Sequence, residues 1–406
     1  MEHKEMEKVL VGVMTGAVDP RVLTVVKSLV DFIYYAQLQS HTKRTLDALQ
    51  TALDTFHSHK DVLVDLDIRK HFNIPKIHAM QHYVDGIRRL GSCDGFNTEH
   101  SERLHIDFAK NAYAATNGKD YTEQMTIWLQ RREAIGLRTR FIAWYDVEEG
   151  LVDPAPAPDE EDEPGPQLVG QLVSAQRRTT YTIAKHPPAP HRSVAQIHDN
   201  YFAKDLIPAL TTFMRQHFLR VPLPPSNFDF YDVFHQIKLA LPSNRYISPK
   251  QRSIRIRAMP AVAPKDRKPG TDAIFDTALV ITDPDEYRYS SGLRGLQPAR
   301  IRLLFRLPSH LGTHRHPLAY IEWFTPLAGP DPTSGLYTTQ RSTRNHLPNT
   351  AVISVDRIAR SCHLMGQMRR VRDTKWTAFN VLDLATTFYF NPYIHIDTFT
   401  RQNLVL

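Results

Sequence analysis

The side chains best suited to catalysis or metal binding are concentrated between positions 78 and 110. This stretch combines histidines, carboxylates and one cysteine: His78, His82, Cys93, Asp94, Glu99, His100, Glu102, His105 and Asp107. Histidine and cysteine are common ligands of zinc, whereas carboxylates suit Mg²⁺ or Mn²⁺. The composition of the stretch is therefore compatible with two kinds of metal site.

The first kind is a zinc site built on His78 and His82. Residues four apart lie on the same face of a helix, so one face presents both imidazoles to a metal. No second pair with a compact zinc spacing follows, and Cys93 stands alone. Ordinary hydrogen bonding by the two histidines is the alternative interpretation.

The second kind is a carboxylate site on Glu99 and Glu102, which are three residues apart on one face of a predicted helix. Phosphodiester cleavage by two divalent ions needs several carboxylates around a metal pair about 4 Å apart. One helix cannot supply the whole set. Alternatively Thr98 caps the helix, and the two glutamates complement its dipole. Both interpretations stay open at this point.

Several other classes of protein are excluded by the sequence. It contains no dinucleotide-binding glycine motif, no P-loop, no HExxH and no GxSxG. The two cysteines, Cys93 and Cys362, are too few for a disulfide framework or a Cys-rich zinc module. No apolar run reaches the roughly 18 residues of a membrane span, and the charged N-terminus lacks a signal core. We therefore expect an intracellular protein without a membrane partner.

The spacing of apolar residues predicts an α+β protein. Residues 1–150 read as mainly helical, with helices over 22–37 and 45–59, one after Pro75, one closed by Gly118 and a long last one. Residues 151–166 are acidic and proline-rich, and the KHPPAPHR segment ends a predicted flexible linker over 151–192. A short helical and aromatic connector is predicted over 193–245.

Residues 246–406 change to a β pattern. The predicted strands are 253–259, 299–307, 318–327, 336–342 and 351–358, followed by an apolar, aromatic segment over 377–396. Short strands separated by proline and glycine turns favour a small antiparallel barrel or sandwich. We expect this part to form a separate domain.

The charge is distributed unevenly, which points to DNA as a partner. Residues 1–150 carry 19 Lys/Arg and 21 Asp/Glu, whereas residues 167–406 carry 31 and 16. Clustered basic residues beside Tyr320, Trp323 and Trp376 could contact phosphates and stack bases. The predicted contacts are Arg252, Arg255, Arg257, Lys265, Arg267, Lys268, Arg300, Arg302, Arg306, Arg369, Arg370 and Arg372. Arg300, Arg302 and Arg306 alternate along one strand and should share a face, although an ordinary charged solvent face gives the same pattern.

Long phrases of the sequence resemble a family of mobile-element proteins. EHKEMEKVLVGVMTGAV, the segment from HFNIPKIHAM to QRREAI, and LAYIEWFTPL with AVISVDRIARSCHL are similar to Plavaka transposases of basidiomycete fungi, which are related to the Kyakuja–Dileera–Zisupton group. The resemblance implies a ribonuclease-H-like nuclease domain with two early aspartates and a late glutamate. The phrase TEHSERLH matches the late motif, so the resemblance nominates Glu99 first and Glu102 second as ligands of Mg²⁺ or Mn²⁺.

The resemblance also implies a missing part. The chain starts at EHKEMEKV, which in the family follows the segments with the two aspartates. We therefore expect a truncated, catalytically inactive remnant without a cofactor as it stands, whose basic C-terminal domain binds DNA. The remnant helices would need a new surface to pack on.

Two other functions remain open from the sequence. One is a protein- or chromatin-interaction module that exposes the YIEWF segment and the aromatic tail. The other is an active metal-dependent nuclease whose aspartates come from another chain. A nuclear location follows only from the family and the charge, because KDRK at 265–268 is too short for a convincing import signal.

Overall fold

The computed structural model describes residues 2–96, 102, 104–148, 179–218, 223–244, 246–248, 252–264, 269–289, 292–368 and 373–403. Contacts group the chain into two compact units, one formed by residues 1–86 with 174–406 and one by residues 87–173. Helices precede antiparallel sheets, so the predicted α+β class is confirmed.

The described residues form thirteen α-helices, most of them in the first 150 positions. Their bounds are α1 (Glu2–Met14), α2 (Pro20–Ala36), α3 (Lys43–His59), α4 (Val62–Asp65), α5 (Pro75–Met80), α6 (Tyr83–Leu90), α7 (Asn111–Ala114), α8 (Tyr121–Glu148), α9 (Val194–Tyr201), α10 (Leu206–His217), α11 (Pro284–Tyr289), α12 (Val381–Leu384) and α13 (Ile396–Asn403). A π-helical turn at Ile106–Lys110 precedes α7.

Local sequence signals explain where α2 and α3 begin. The side chain of Asp19 accepts a hydrogen bond from the backbone of Arg21, and Pro20 occupies the first helical position, where its missing N–H costs nothing. Thr42 and Thr45 cap the start of α3 reciprocally. The predicted helices over 22–37 and 45–59 are therefore confirmed.

The strands of the described part begin after residue 179, with helices α9 to α13 between and after them. They are β1 (Thr180–Ile183), β2 (Ala189–Ser193), β3 (Phe230–Phe234), β4 (Gln236–Ala240), β5 (Ser253–Met259), β6 (Ile274–Phe275), β7 (Thr277–Ile281), β8 (Leu296–Arg306), β9 (Leu318–Trp323), β10 (Tyr337–Gln340), β11 (Thr343–Arg344), β12 (Leu347–Pro348), β13 (Thr350–Ser354), β14 (Ile358–Ser361), β15 (Leu364–Gly366) and β16 (Thr387–Phe390).

These strands form four antiparallel sheets within the described ranges. The largest has seven strands and is organised around β8, which pairs with β9 along one edge and with β7 and then β3 along the other. β1, β4, β5 and β6 form a four-stranded sheet, and β10, β16 and β15 a three-stranded one. None of the sheets in the described part closes on itself, so the predicted barrel is wrong.

The main core lies on the seven-stranded sheet. β8 is buried along almost its whole length, and Tyr231, Phe234 and Phe305 are fully buried around it. Helices α9 and α10 contribute Ile197 and Leu210 to the same cluster. The segment predicted as a connector therefore belongs to the core.

The segment predicted as flexible also contains regular structure. β2 begins at Ala189 and pairs with β3 at the edge of the large sheet. Pro190 is tolerated there because an edge strand leaves one row of its N–H groups outside the ladder. Residues 149–178, which include most of the predicted linker, lie outside the described part.

The first helices pack against the end of the chain. Tyr393 donates a hydrogen bond from its hydroxyl to Asp31 at 2.7 Å, and Tyr34 donates to the backbone carbonyl of Tyr393. Asn391 donates to the carbonyl of Lys8 at 2.8 Å. The compact units divide after residue 86 and again after residue 173, which lies within the predicted linker over 151–192.

The second unit contains α7 and the 28-residue helix α8. Many large apolar side chains of α8 are exposed, among them Ile135 at 66%, Leu137 at 56% and Trp144 at 56%. No helix in the part of the chain that the structure describes is both long and apolar enough to cross a membrane.

Candidate functional sites

The predicted carboxylate helix does not provide a metal site among the described residues. Glu99, the first candidate, lies outside them, and Glu102 is exposed. Within the described ranges, no three His, Cys, Asp or Glu side chains are grouped so that they could hold a metal ion. The two-metal chemistry that the resemblance implies therefore stays a prediction, because Glu99 is not among these residues.

The two histidines of the zinc interpretation do meet. The Nε2 atoms of His78 and His82 are 3.4 Å apart, and their rings are nearly perpendicular, with centroids 5.0 Å apart. Both side chains are exposed. Since no third ligand joins them within the described residues, the pair fits ordinary surface contacts.

The arginines of β8 do not share one face, and this prediction is wrong. The pairing of β8 with β9 shifts between Ile301 and Leu303, so that Arg302 is an extra residue in the ladder. Such a bulge reverses the alternation of side chains beyond it. Arg306 therefore lies on the opposite face from Arg300, exposed, with its guanidinium 5.5 Å from the ring centre of Phe234.

Arg300 and Arg302 instead converge on Asp383 of α12. Nη1 of Arg300 donates to Oδ1 of Asp383 at 2.6 Å, and Nη2 of Arg302 donates to the same oxygen at 3.3 Å. Nε of Arg302 also lies 2.9 Å from Oε2 of Glu322. Both arginine side chains are more than nine-tenths buried, whereas that of Asp383 is 48% exposed.

The two guanidinium groups are close together and only partly compensated. Burial, and then the charge of Arg302, lowers the pKa of Arg300. The Nε–H of Arg300 makes no hydrogen bond with any residue that the structure describes, whereas Nε of Arg302 has the ion-pair contact with Glu322. Phe275 supports both cations from one side, with its ring centre 5.8 Å from Arg300 and 5.0 Å from Arg302.

These residues form part of the wall of a cleft of about 420 Å³. The loop around β11 and β12 and the helix α12 complete the wall, which also includes Trp323, Gln340, Arg341, Ser342, His346 and Leu382. A buried pair of arginines, a tryptophan and several small polar groups can hold an anionic group on an organic body. We call this the arginine cleft.

A second basic group lies on the exposed face of the four-stranded sheet. In the ladders, Thr182 pairs with Lys238 and Lys238 with Arg255, and all three side chains are exposed. Like charges directly opposite each other destabilise a sheet. Neither Lys238 nor Arg255 has a carboxylate within ion-pair distance among the described residues. We call Thr182, Lys238 and Arg255 the basic sheet face.

The arginine cleft and the basic sheet face are two cationic groups within the described ranges. No family model, curated protein or solved structure matches the chain.

The other predicted DNA contacts have different environments. Arg257 forms a bidentate pair with Asp276, at 2.9 and 3.0 Å, and Arg252 lies 3.5 Å from Asp397. The remaining predicted residues, namely Lys265, Arg267, Lys268, Arg369, Arg370 and Arg372, lie outside the described part. Arg255 is thus the predicted contact on β5 whose charge has no described partner.

The predicted aromatic contacts are mostly buried. Tyr320 is 1% exposed and its hydroxyl accepts a hydrogen bond from the backbone of Asp205, so its ring cannot stack on a base. Trp376 is partly buried against the core that includes Phe388 and Phe390. Trp323 lines the arginine cleft. Phe324, Phe388 and Phe390 are buried as well, so most aromatic rings of the YIEWF segment and the aromatic tail are not exposed, whereas Phe379 is 55% exposed.

Sequence reasoning missed Lys238, Glu322 and Asp383. Lys238 alternates with Ile237 and Leu239 in the run QIKLA, which is a strand signal that was available in the sequence. Asp383 lies in the short apolar segment VLDL, 81 residues after Arg302. Only the folded chain brings them together, so no local signal marks the cleft.

Proposed function

We propose that this protein is a transposase-derived DNA-binding protein that acts in the nucleus and contacts DNA through the basic sheet face. The single observation that carries the proposal is the exposed, directly opposed pair of Lys238 and Arg255. The pair is unfavourable in the isolated protein, whereas DNA phosphates lying across the strands would make it favourable. The uneven charge of the chain supports the same partner.

The proposal includes no nuclease activity for this chain. Glu99 and Glu102 are kept as the remnant of the late metal-binding motif that the resemblance implies. Their partners are missing from the described residues, where no three-residue ligand group exists. The contribution that we propose for the protein is binding and not cleavage.

The test is the salt dependence of DNA binding. We expect the affinity for a labelled random-sequence duplex, measured by fluorescence anisotropy, to fall steeply as NaCl rises. Each phosphate contact contributes about 0.9 to the slope of log K against log salt. The double variant Lys238→Ala/Arg255→Ala should therefore lower that slope by about 2.

The matched control is Lys43→Ala, which removes a side chain that is 90% exposed on α3. It should leave the slope unchanged. Equal slopes for the wild type and the double variant would refute the role of the basic sheet face.

A protein-interaction function is the second candidate, and the observation that favours it is the apolar surface of α8. Large contiguous apolar surfaces usually mark contacts with another protein. Phe141, Trp144 and Tyr145 form an exposed aromatic group there, with Phe141 and Trp144 centroids 5.7 Å apart. The same salt titration separates the two functions, since a protein-recognition module should bind DNA weakly and with little salt dependence.

A further inference from the structure

The arginine cleft contains more hydrogen-bond donors than the neighbouring carboxylates accept. An arginine side chain has five N–H donors. Arg300 and Arg302 both donate to one oxygen of Asp383, Nε of Arg302 lies 2.9 Å from Oε2 of Glu322, and the Nε–H of Arg300 has no hydrogen bond among the described residues. Both side chains are more than nine-tenths buried in the wall of the cleft. Buried donors of this kind normally have an acceptor.

The position of Asp383 indicates what that acceptor is. A single oxygen bridges the two guanidinium groups, as one oxygen of a bound oxyanion would. Asp383 belongs to α12, a helix of four residues, and 48% of its side chain is exposed. Its carboxylate can therefore leave the arginines without moving a large element. Asp383 acts as an internal substitute for an anion.

The charge of the cleft favours a dianion over a carboxylate. Arg300, Arg302 and Arg341 line the cleft together with Glu322 and Asp383. Once Asp383 has moved away from the arginines, three cations face one remaining carboxylate. A phosphate group has the charge and the several oxygens that two arginine side chains can use at the same time.

The size and the wall of the cleft indicate the rest of the ligand. A volume of about 420 Å³ falls within the range of small-molecule sites, and it is larger than a phosphate group needs. Trp323 offers an aromatic surface beside the arginines, while Gln340 and Ser342 offer polar groups. These side chains suit a small organic body attached to the phosphate.

We propose that the arginine cleft binds a phosphomonoester, with the phosphate on Arg300 and Arg302 in place of Asp383 and the organic body beside Trp323. This chemistry has two sources, a free mononucleotide-sized molecule or the terminal phosphate of a nucleic-acid strand. The site does not depend on the basic sheet face, so the proposal stands independently of the proposed function.

The decisive variant is Asp383→Asn, which removes the internal competitor but keeps the shape of the side chain. A ligand that must displace a competitor binds more weakly in proportion to the fraction of time that the site is open. If the site is open about one tenth of the time, Asp383→Asn should bind dAMP and inorganic phosphate about tenfold more tightly than the wild type. Isothermal titration calorimetry at constant ionic strength measures this change.

Two control variants and one alternative measurement make the result specific. Asp47→Asn breaks the exposed pair between Lys43 and Asp47 on α3, and it should not alter phosphate binding. The charge-balanced double variant Arg302→Gln/Asp383→Asn removes one cation and one anion together. It should not show the increase in phosphate affinity that is expected for Asp383→Asn. If Asp383→Asn unfolds too easily for calorimetry, phosphate should raise its melting temperature more than that of the wild type.

Binding of oligonucleotides distinguishes a free phosphomonoester from the terminal phosphate of a nucleic-acid strand. Tighter binding of a 5′-phosphorylated than of a 5′-hydroxyl oligonucleotide by Asp383→Asn would assign the cleft to strand ends, and binding of dAMP alone would assign it to a small molecule. Both assignments should persist in Lys238→Ala/Arg255→Ala, which tests DNA binding separately. The proposal is overturned if Asp383→Asn binds phosphate and dAMP no more tightly than the wild type, because the two arginines then only anchor α12.

Discussion

The two basic groups of the C-terminal part look alike in the sequence and differ in the structure. Arg255 and Arg302 each alternate with apolar residues along a strand, in SIRIRAM and in ARIRLLFRL. Arg255 is exposed opposite Lys238, whereas Arg302 is buried against Asp383 and Glu322. One arginine is available to an extended partner, and the other can meet only a ligand that enters a cleft.

The difference comes from the number of layers that cover each strand. The four-stranded sheet has one face toward the core and one toward solvent, so the polar side chains that alternate along β5 point into the solvent. β8 is buried on both faces, and its bulge directs Arg300 and Arg302 toward α12. A buried cation must be paired, which explains why acidic residues from β9 and α12 meet the arginines.

The largest predicted effect is the loss of stability when the buried Arg302 is removed. Arg302→Ala leaves Glu322 and Asp383 without one of their partners, and breaking a buried ion pair costs about 3–5 kcal/mol. We expect a loss of that size in the free energy of unfolding, measured by urea denaturation. Arg306→Ala, on the exposed end of the same strand, should change it by about 0.5 kcal/mol or less. Similar losses for the two variants would mean that the buried cluster does not stabilise the fold.

Acid should lower the stability of the protein through its buried histidines and not through its arginines. Arginine keeps its charge at every pH of interest, whereas histidine does not. Partial burial, and then the charge of His395, lowers the pKa of His363 below its ordinary 6.5. The unfolded chain therefore binds a proton that the folded chain resists, and stability is lost as the pH falls below about 6.5. Urea denaturation at pH 7.5 and 5.5 should show this loss, and a smaller one in His363→Gln. A loss of the same size in that variant would exclude His363 as a source.

The smallest effect concerns the exposed side. Lys238→Glu replaces a like-charged cross-strand pair by an opposite-charged one, and such pairs differ by about 0.2–1 kcal/mol. We expect the variant to be slightly more stable in urea at low salt and to bind DNA more weakly. Lys238→Gln provides the neutral control, with an intermediate stability. Stability and DNA binding that fall together in Lys238→Glu would show that Lys238 supports the fold instead.

The helices were predictable because their signals are local. Pro20, the cap at Thr42 and the apolar spacing of α2 and α3 are all contained in short segments. The same reasoning identified β5, β8, β9 and β13. It failed for β2, because prolines in KHPPAPHR suggested a flexible stretch and only an edge position in a sheet makes them acceptable.

The sites were less predictable than the elements. The sequence identified Arg255, Arg300 and Arg302 as a group of basic residues without separating them. It also directed attention to Glu99, which lies outside the described residues, and to an aromatic YIEWF surface, which is buried. Burial depends on which elements stack over a strand, and that information is distributed over the whole chain.

The sequence by itself determined the α+β fold class, the order of helices before strands and the excess of positive charge toward the C-terminus. These features depend on composition and on the spacing of residues within one element. Only the tertiary structure decided that Asp383 meets Arg300 and Arg302, that Arg306 faces the other way and that the first helices pack on Asn391 and Tyr393. Those contacts join residues 80 to about 380 positions apart. A bulge of one residue and the cover of one short helix set the surroundings of each arginine.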